Sequence, residues 1–561
     1  MRRLTYLGVI IAVSVLAACS SSSSTTPQAT GPSGTLTIDN ESGTNWTCGF
    51  NPFQSGGSSG QGFSLGMIYE PLVFVNVLQN QKTTPMLASS YAWSNGFKTL
   101  TFTIRSGVKF SNGTPMTAAD VVYTFNLLKN TVVSGTKVLD LNAVWSVLTS
   151  VTQQGSNQVV MQFNGPALSY FYYVADQVGI VPQKIWTGIS NPAKYADAHP
   201  VGTGPYTMSN CTPQNIAYKA NLHYWQPGLP KIATINYPSF LSNDVANTYL
   251  AAGNAQWGSQ FIPSIQSFYL SKSPNYHTWS PPVANVSLFP NLKNPLLKIL
   301  AVRQAIAYAI DRAKVSRLGE FGEEPPSNQT AIVTPTYATW QDATLSAKYG
   351  NYAFNPAKAI SILTKAGFKR GSDGIFAKNG QRLSFTITNQ GGFSDWVNSV
   401  AVIVQDLKAV GIQAVPRNLT TTYSNDVLTG NFQLAYGSEG GGPSPYYELR
   451  QLLYSKNSAP IGTPASTNFE RFSSPAVDAI INSYAGATSL PAQQAVVNKL
   501  EQVMLAQVPV IPVTESVDWF QFVTGPNGYS GWPTPSNPYA QPSPYNAPDW
   551  EQVALHLTPG K

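Results

Sequence analysis

The stretch Thr99-Leu100-Thr101-Phe102-Thr103-Ile104-Arg105-Ser106-Gly107-Val108-Lys109-Phe110-Ser111-Asn112-Gly113-Thr114-Pro115, continued by Thr117-Ala118-Ala119-Asp120-Val121-Val122, gives three structural instructions in succession. Thr99 to Arg105 alternates polar and apolar residues, the period of a strand with one buried face. Ser111 to Pro115 is a polar break with Asn112-Gly113 and a proline, and reads as a turn. A helix then opens at Thr117, its expected N-cap, with Val121, Val122, Phe125 and Leu128 on the apolar side.

Short strands and amphipathic helices continue along the chain. Leu296 to Ser316 places Ile299, Val302, Ile306 and Ile310 at helical spacing, the pattern of one continuous helix. Later come a strand from Leu383 to Thr388, a loop from Asn389 to Asp395, a helix from Trp396 to Val410 that ends at Gly411, and a strand from Ile412 to Val415. That order points to a parallel crossover, and ligands of α/β sheets sit at the carboxyl ends of the strands. Asn389 and Gln390, placed in the loop, are therefore candidate ligand contacts. The fold class is α/β, and 561 residues suffice for more than one domain.

At the start, Arg2 and Arg3 precede an apolar run from Leu7 to Ala18 that closes with Leu16-Ala17-Ala18-Cys19. The run is too short to span a bilayer permanently, so residues 1–18 read as a secretion signal. A signal ending in cysteine resembles the bacterial lipoprotein signal, which makes Cys19 the expected lipid anchor. Residues 19–33, rich in Ser and Thr and without charge, read as a flexible tether. Cys48 and Cys211 then remain as an even pair, and an oxidising compartment allows a disulfide.

Lys and Arg number 33 against 26 Asp and Glu, with no basic run interleaved with aromatics, so no nucleic-acid partner is expected. Charged residues make up 11% of the chain, against about 25% in an average protein, and a surface polar through Ser, Thr, Asn and Gln suits neutral, hydrogen-bonding partners. His199, His223, His277 and His556 are scattered without metal-ligand spacing, and no Cys-x-x-Cys occurs. No metal or other cofactor is expected.

Five segments occur in order: Met67-Ile68-Tyr69-Glu70-Pro71-Leu72-Val73; Pro85-Met86-Leu87-Ala88; the block from Thr101 to Val122; Pro200-Val201-Gly202-Thr203-Gly204-Pro205-Tyr206; and Val302-Arg303-Gln304-Ala305-Ile306-Ala307-Tyr308-Ala309-Ile310-Asp311-Arg312. Together they resemble solute-binding protein family 5, the extracytoplasmic receptors of ABC importers in the oligopeptide, dipeptide and nickel-binding group. The resemblance implies a bilobal periplasmic-binding-protein-like fold of type II, cluster C, with a ligand between two lobes that close about a hinge and no covalent chemistry. By that analogy lobe 1 takes residues 34–70, 201–285 and 511–561, an inserted subdomain takes 71–200, and lobe 2 takes 286–510. It also implies a monomer that works with an ABC permease, held by its lipid to the outer face of the cell membrane or in the periplasm, where tethering raises its effective concentration. The signature residues are expected to be structural: Gly107, Gly113, Gly202 and Gly204 in turns, Arg105 and Asp120 as paired or capped surface groups.

Peptide-binding members of that family hold the ligand's amino terminus with an aspartate in a segment resembling Gly-Trp-x-x-Asp-Tyr-x-x-Pro. The corresponding stretch here runs from Leu434 to Tyr447 and lacks the aspartate. Burying an ammonium without a charged partner costs several kcal/mol, so a peptide ligand requires Glu439 to substitute. A subgroup binds oligosaccharides, and Asn51-Pro52-Phe53, Trp257-Gly258-Ser259-Gln260-Phe261-Ile262-Pro263 and Gly531-Trp532-Pro533-Thr534 resemble it. Sugars need aromatic faces for their C–H surfaces and neutral groups for their hydroxyls, and the chain has 12 Trp and 28 Tyr. Candidate ligand-binding residues are Trp46, Asn51, Trp257, Gln260, Asn389, Gln390, Trp396, Tyr436, Glu439, Tyr446 and Trp519, with Trp257, Trp396 and Tyr436 favoured because each is expected near a strand end or loop. The ligand is thus an oligosaccharide, or alternatively an oligopeptide.

A secreted, lipid-anchored hydrolase is the rival from another class. Gly56-Gly57-Ser58-Ser59-Gly60 matches Gly-x-Ser-x-Gly, but its flanks are Gly- and Ser-rich where a nucleophile elbow needs a strand and a helix. No catalytic residue is assigned.

Overall fold

In the computed structural model, which describes residues 31–41, 45–54, 61–130 and 142–560, the strand expected from Thr99 runs over Thr99–Ile104 and buries Leu100, Phe102 and Ile104. The secretion signal, Cys19, most of the tether and Gly56 to Gly60 lie outside the described residues. Thr99–Ile104 is flanked by Ala88–Ser94 and Gln158–Phe163, and Leu148–Gln154 completes a four-stranded antiparallel sheet. The turn closes through Phe110, whose N–H donates to the Thr114 carbonyl at 2.8 Å. The helix Ala118–Asn130 follows directly after Thr117, the expected cap position, but the side-chain acceptor there is Asp120 and not the Thr117 hydroxyl. The Asp120 carboxylate receives both the N–H and the hydroxyl of Thr117, at 2.8 and 3.0 Å, and on its other oxygen the N–H of Gln183. Asp120 is therefore buried and ties the helix start to a distant segment, correcting its reading as a surface group.

Gly107 and Gly113 take the left-handed conformation of turns, with φ of 79° and 83°. Gly202 and Gly204 do not, and their role is close approach. A Cβ at Gly202 would stand 1.8 Å from the Ile68 carbonyl oxygen, and one at Gly204 2.4 Å from that of Met67. Backbone bonds join the two segments there, Gly204 N–H to Ile68 at 2.9 Å and Tyr206 N–H to Met67 at 2.9 Å.

Two larger sheets organise the rest. In the first, Ser33–Glu41 lies parallel to Ile232–Phe240 and to Trp257–Ser259. Asn215–Ala220 and Tyr206–Thr212 extend one side, and Gln521–Val523 and Tyr276–Thr278 the other. A disulfide between Cys48 and Cys211, with Cα atoms 5.7 Å apart, clips the edge strand to the segment that follows Ser33–Glu41. The second sheet has the order Gln413–Leu419, Ser384–Gln390, Leu434–Glu439, Pro282–Pro290, Ile511–Val517. Ser384–Gln390 and Gln413–Leu419 pair in parallel through the helix Ser394–Ala409, the crossover read from the sequence.

Ile511–Val517 pairs with Pro282–Pro290 in the second sheet, and the chain returns to the first only at Gln521. The range 511–561 is accordingly divided between the two sheets, and the strand beginning at Pro282 belongs wholly to the second. The chain crosses between sheets through Trp279 to Pro281 and through Asp518 to Phe520. These crossings lie side by side: Trp279 N–H donates to the Phe520 carbonyl at 3.1 Å and Asp518 N–H to the Pro281 carbonyl at 2.8 Å. Two short paired segments joining two lobes make a hinge.

The expected continuous helix from Leu296 to Ser316 is broken in two, Leu300–Ala309 and Arg312–Leu318. Ile310 is extended at the break, and the Asp311 side chain accepts from the Lys314 N–H as the cap of the second helix. Packing overrides periodicity here. The Arg312 guanidinium is buried and donates to the carbonyls of Pro512, Ala307 and Tyr352. Arg303 donates to those of Val508, Leu297, Lys298 and Gln507.

Candidate functional site

A cavity of about 950 Å³ opens where the two large sheets face one another beside the hinge. Strand direction explains its lining. Asn40 and Ser259 stand at the carboxyl ends of their strands in the first sheet, as do Gln390, Ser438, Glu439 and Val517 in the second. Pro282–Pro290 runs antiparallel to its neighbours and so contributes Val283 and Ala284 from its start. The hinge adds Asp518 and Trp519, and a loop and helix start near the end of the chain add Gln541, Asn546 and Asp549.

Five of the residues expected from the sequence stand on this wall: Trp46, Gln390, Trp396, Glu439 and Trp519. Each tryptophan is braced from behind. Trp46 donates its indole N–H to the Tyr237 carbonyl at 2.8 Å and packs against Phe63 at 4.7 Å between ring centres. Trp396 meets Phe393, Tyr423 and Tyr436 edge-on at 5.3, 6.0 and 5.9 Å. Trp519 packs against Phe261 at 5.7 Å. Such rings present fixed apolar faces to a ligand without an ordering cost at the moment of binding.

The other six lie behind the wall. Asn51 fastens the chain to itself, donating to the carbonyls of Pro192 and Tyr195 and accepting the Phe53 N–H. Trp257 precedes the strand's carboxyl end by two residues; it is fully buried, with its indole N–H on the Pro542 carbonyl and its ring against Trp532. Ser259 takes the wall position in its place. Gln260 is buried between strands, its backbone bonded to the Gln521 side chain. Asn389 is the penultimate strand residue, not a loop residue, so alternation turns it into the core while Gln390 faces the cavity. Tyr436 lies beneath Trp396, and Tyr446 stacks on Tyr484 at 3.7 Å with its hydroxyl on the Ile481 carbonyl.

Sequence reasoning missed the polar strand ends Asn40, Ser259 and Ser438, and the carboxyl groups. The strand ends carry a weak signal, a polar residue at one of the last two positions of a strand. The carboxyl groups carry none, because distant segments build their surroundings. Asp518 accepts from Gln541 and Asn546, both at 2.8 Å, and burial pushes it up to about 7. Asp395, at the start of Ser394–Ala409, is raised to about 6 by burial, against the helix N–H groups that favour its charge. Glu324 accepts the Thr514 hydroxyl at 2.7 Å and is raised to about 8, again by burial first.

Known proteins share this arrangement. Residues 82–460 match the family model described as bacterial extracellular solute-binding proteins, family 5 middle. The chain is 24% identical over 514 residues to a probable peptide-binding protein, YejA, of Agrobacterium fabrum, an alignment covering 82% of this chain and 81% of that one. With the oligopeptide-binding protein AppA of Bacillus subtilis it shares 26% identity over 356 residues, covering 62% and 63%. Among solved structures, the periplasmic oligopeptide-binding protein of an oligopeptide ABC transporter from Thermotoga maritima, bound to mannohexaose, superposes with a TM-score of 0.82 at 25% identity over 93% of this chain and 98% of that one. AppA with a nonapeptide superposes at 0.78 with 18% identity, over 95% and 100%. Bilobal architecture, a hinge-side cavity at the strand ends and a family match across two thirds of the sequence agree, and the chain belongs to the bacterial extracellular solute-binding proteins of family 5, the receptor class of ABC importers.

Proposed function

We propose that this receptor captures an oligosaccharide outside the cell membrane and hands it to an ABC permease, acting as a monomer tethered through lipid on Cys19. The observation that carries the ligand class is the wall itself: Trp46, Trp396 and Trp519 share it with the amides of Asn40, Gln390, Gln541 and Asn546 and the hydroxyls of Ser259 and Ser438. Flat rings beside neutral hydrogen-bonding groups match the two faces of a sugar. The Thermotoga maritima relative bound to mannohexaose, at 25% identity, supports the same class.

An oligopeptide is the second reading, favoured by the names of YejA and AppA and by Glu439 on the wall. Thermal shift with cello-, xylo- and manno-oligosaccharides beside mixed di- to pentapeptides separates the two. The sugar reading expects stabilisation by at least one saccharide series, since a ligand that binds only the native state raises Tm. Stabilisation by peptides alone would overturn it. Cys19→Ala is expected to release the protein from membranes with binding intact, checked by fractionation and the same thermal shift.

A further inference from the structure

The cavity wall carries a charge pattern that the rest of the chain does not share. Basic residues outnumber acidic ones over the whole sequence, 33 to 26. The wall nevertheless holds five carboxyl side chains, Glu324, Asp395, Glu439, Asp518 and Asp549, and no Lys, Arg or His among its described residues.

These carboxyls stand in groups. Gln541 bridges two of them, its backbone N–H on Asp549 and its side-chain amide on Asp518, each at 2.8 Å. Asp176 lies close enough to raise Asp549 further. On the opposite lobe Glu324 and Asp395 feel one another's charge, with Glu320 and Glu323 beside them. Among the described residues no ion pair joins Glu324, Asp395, Asp518 or Asp549 to a cationic side chain. Nor does any described group of His, Cys, Asp or Glu have the form of a metal site.

Burial acts on all four of these carboxyls and the charge of neighbouring carboxyls adds to it at Glu324 and Asp549, with no described ion pair to offset either. A neutral sugar leaves that repulsion in place, an acidic one adds to it, and a cation relieves it. A peptide brings a carboxylate with its amine, and the described wall offers that carboxylate no counter-charge. We propose that the saccharide received here carries free amino groups, whose ammonium centres settle among Asp518, Asp549, Glu324 and Asp395. This rests on the oligosaccharide reading and narrows it to amino sugars. Trp396 and Trp519 suit the same ligand, because an aromatic face attracts a nearby cation.

Proton exchange follows from the charge balance. A carboxyl held near neutrality is partly protonated in the empty cavity and ionises when an ammonium arrives, so binding releases protons to the buffer. Affinity for an amino sugar then rises as pH goes from about 5.5 to about 7.

Titration calorimetry on the full chain, with a β-1,4-linked glucosamine hexamer, its N-acetylated counterpart, mannohexaose, a uronic acid hexamer and a pentapeptide, tests the inference. The glucosamine hexamer is expected to bind at least about tenfold more tightly than the N-acetylated one at neutral pH. At about pH 6, where its amines are already ammonium groups, its heat should depend on the ionisation enthalpy of the buffer in the sense of proton release. Asp518→Asn and Asp549→Asn are expected to bring the ratio of the two affinities towards one. Should those variants fail to fold, the two hexamers on the unaltered protein decide. Equal or tighter binding of the N-acetylated hexamer or mannohexaose, or no proton release, overturns the amino-sugar inference and leaves the saccharide reading standing. Binding of the pentapeptide alone overturns both.

Discussion

Trp396 is held edge-on by the rings around it, Phe393, Tyr423 and Tyr436. Trp396→Ala removes a braced face and is expected to weaken saccharide binding by about 2 kcal/mol, near thirtyfold, measured by calorimetry. Tyr436 acts one layer back. The neighbouring pair Asn389 and Gln390 shows where residue-level reading stops. Its local composition marks a ligand-facing segment, but the strand runs on to Gln390, and alternation alone settles which side chain reaches the cavity. Trp46, Trp396 and Trp519 were legible because each aromatic adjoins small polar residues. Asp518 and Asp549 were not, since Gln541 and Asn546, which give Asp518 its place, are remote in sequence and arrive beside it only on folding.

At the scale of elements, the family's signature residues turn out to be joints. Gly202 sits where two backbones touch, and Gly202→Ala would drive a Cβ into the Ile68 carbonyl. Loss of soluble protein, or a Tm fall well beyond that of a surface substitution, is the expected result. Asp311 caps the second of the two helices, and Asp311→Ala should cost about 1 kcal/mol in denaturant unfolding. Alternation made the strands legible, including Thr99–Ile104 and the parallel crossover. The helix break was illegible, because Ile310 keeps the apolar spacing across it. What interrupts the helix is Arg312 reaching the Pro512 carbonyl, a contact made across 200 residues. The disulfide between Cys48 and Cys211 spans 163 residues, and Cys211→Ser should lower stability by about 2 to 4 kcal/mol under oxidising conditions, with little effect on ligand affinity.

Over the whole molecule, buried carboxyls make stability depend on pH in an uncommon direction. Burial lifts Asp176, Glu324 and Glu448 to about 8, while carboxyls of an unfolded chain titrate near about 4. Between those limits the folded state keeps protons that the unfolded state has lost. The associated stability is complete below the lower limit and disappears as pH rises through the upper one. The ligand-free Tm is therefore expected to fall from about pH 5 to about pH 8, and a calorimetric pH series in which it rose instead would contradict the assignment. The hinge has a further implication, for time. Side chains at a pivot travel least when lobes close, so Asp518 and Trp519, at the crossing between the lobes, would shift less on closure than Trp396, which stands on a lobe in the helix Ser394–Ala409. On the proposed function, arrival would be read at the pivot and retention at the lobe. Stopped-flow should find that Trp519→Ala chiefly slows association and Trp396→Ala chiefly speeds dissociation, so that one affinity is assembled from two separately adjustable rates.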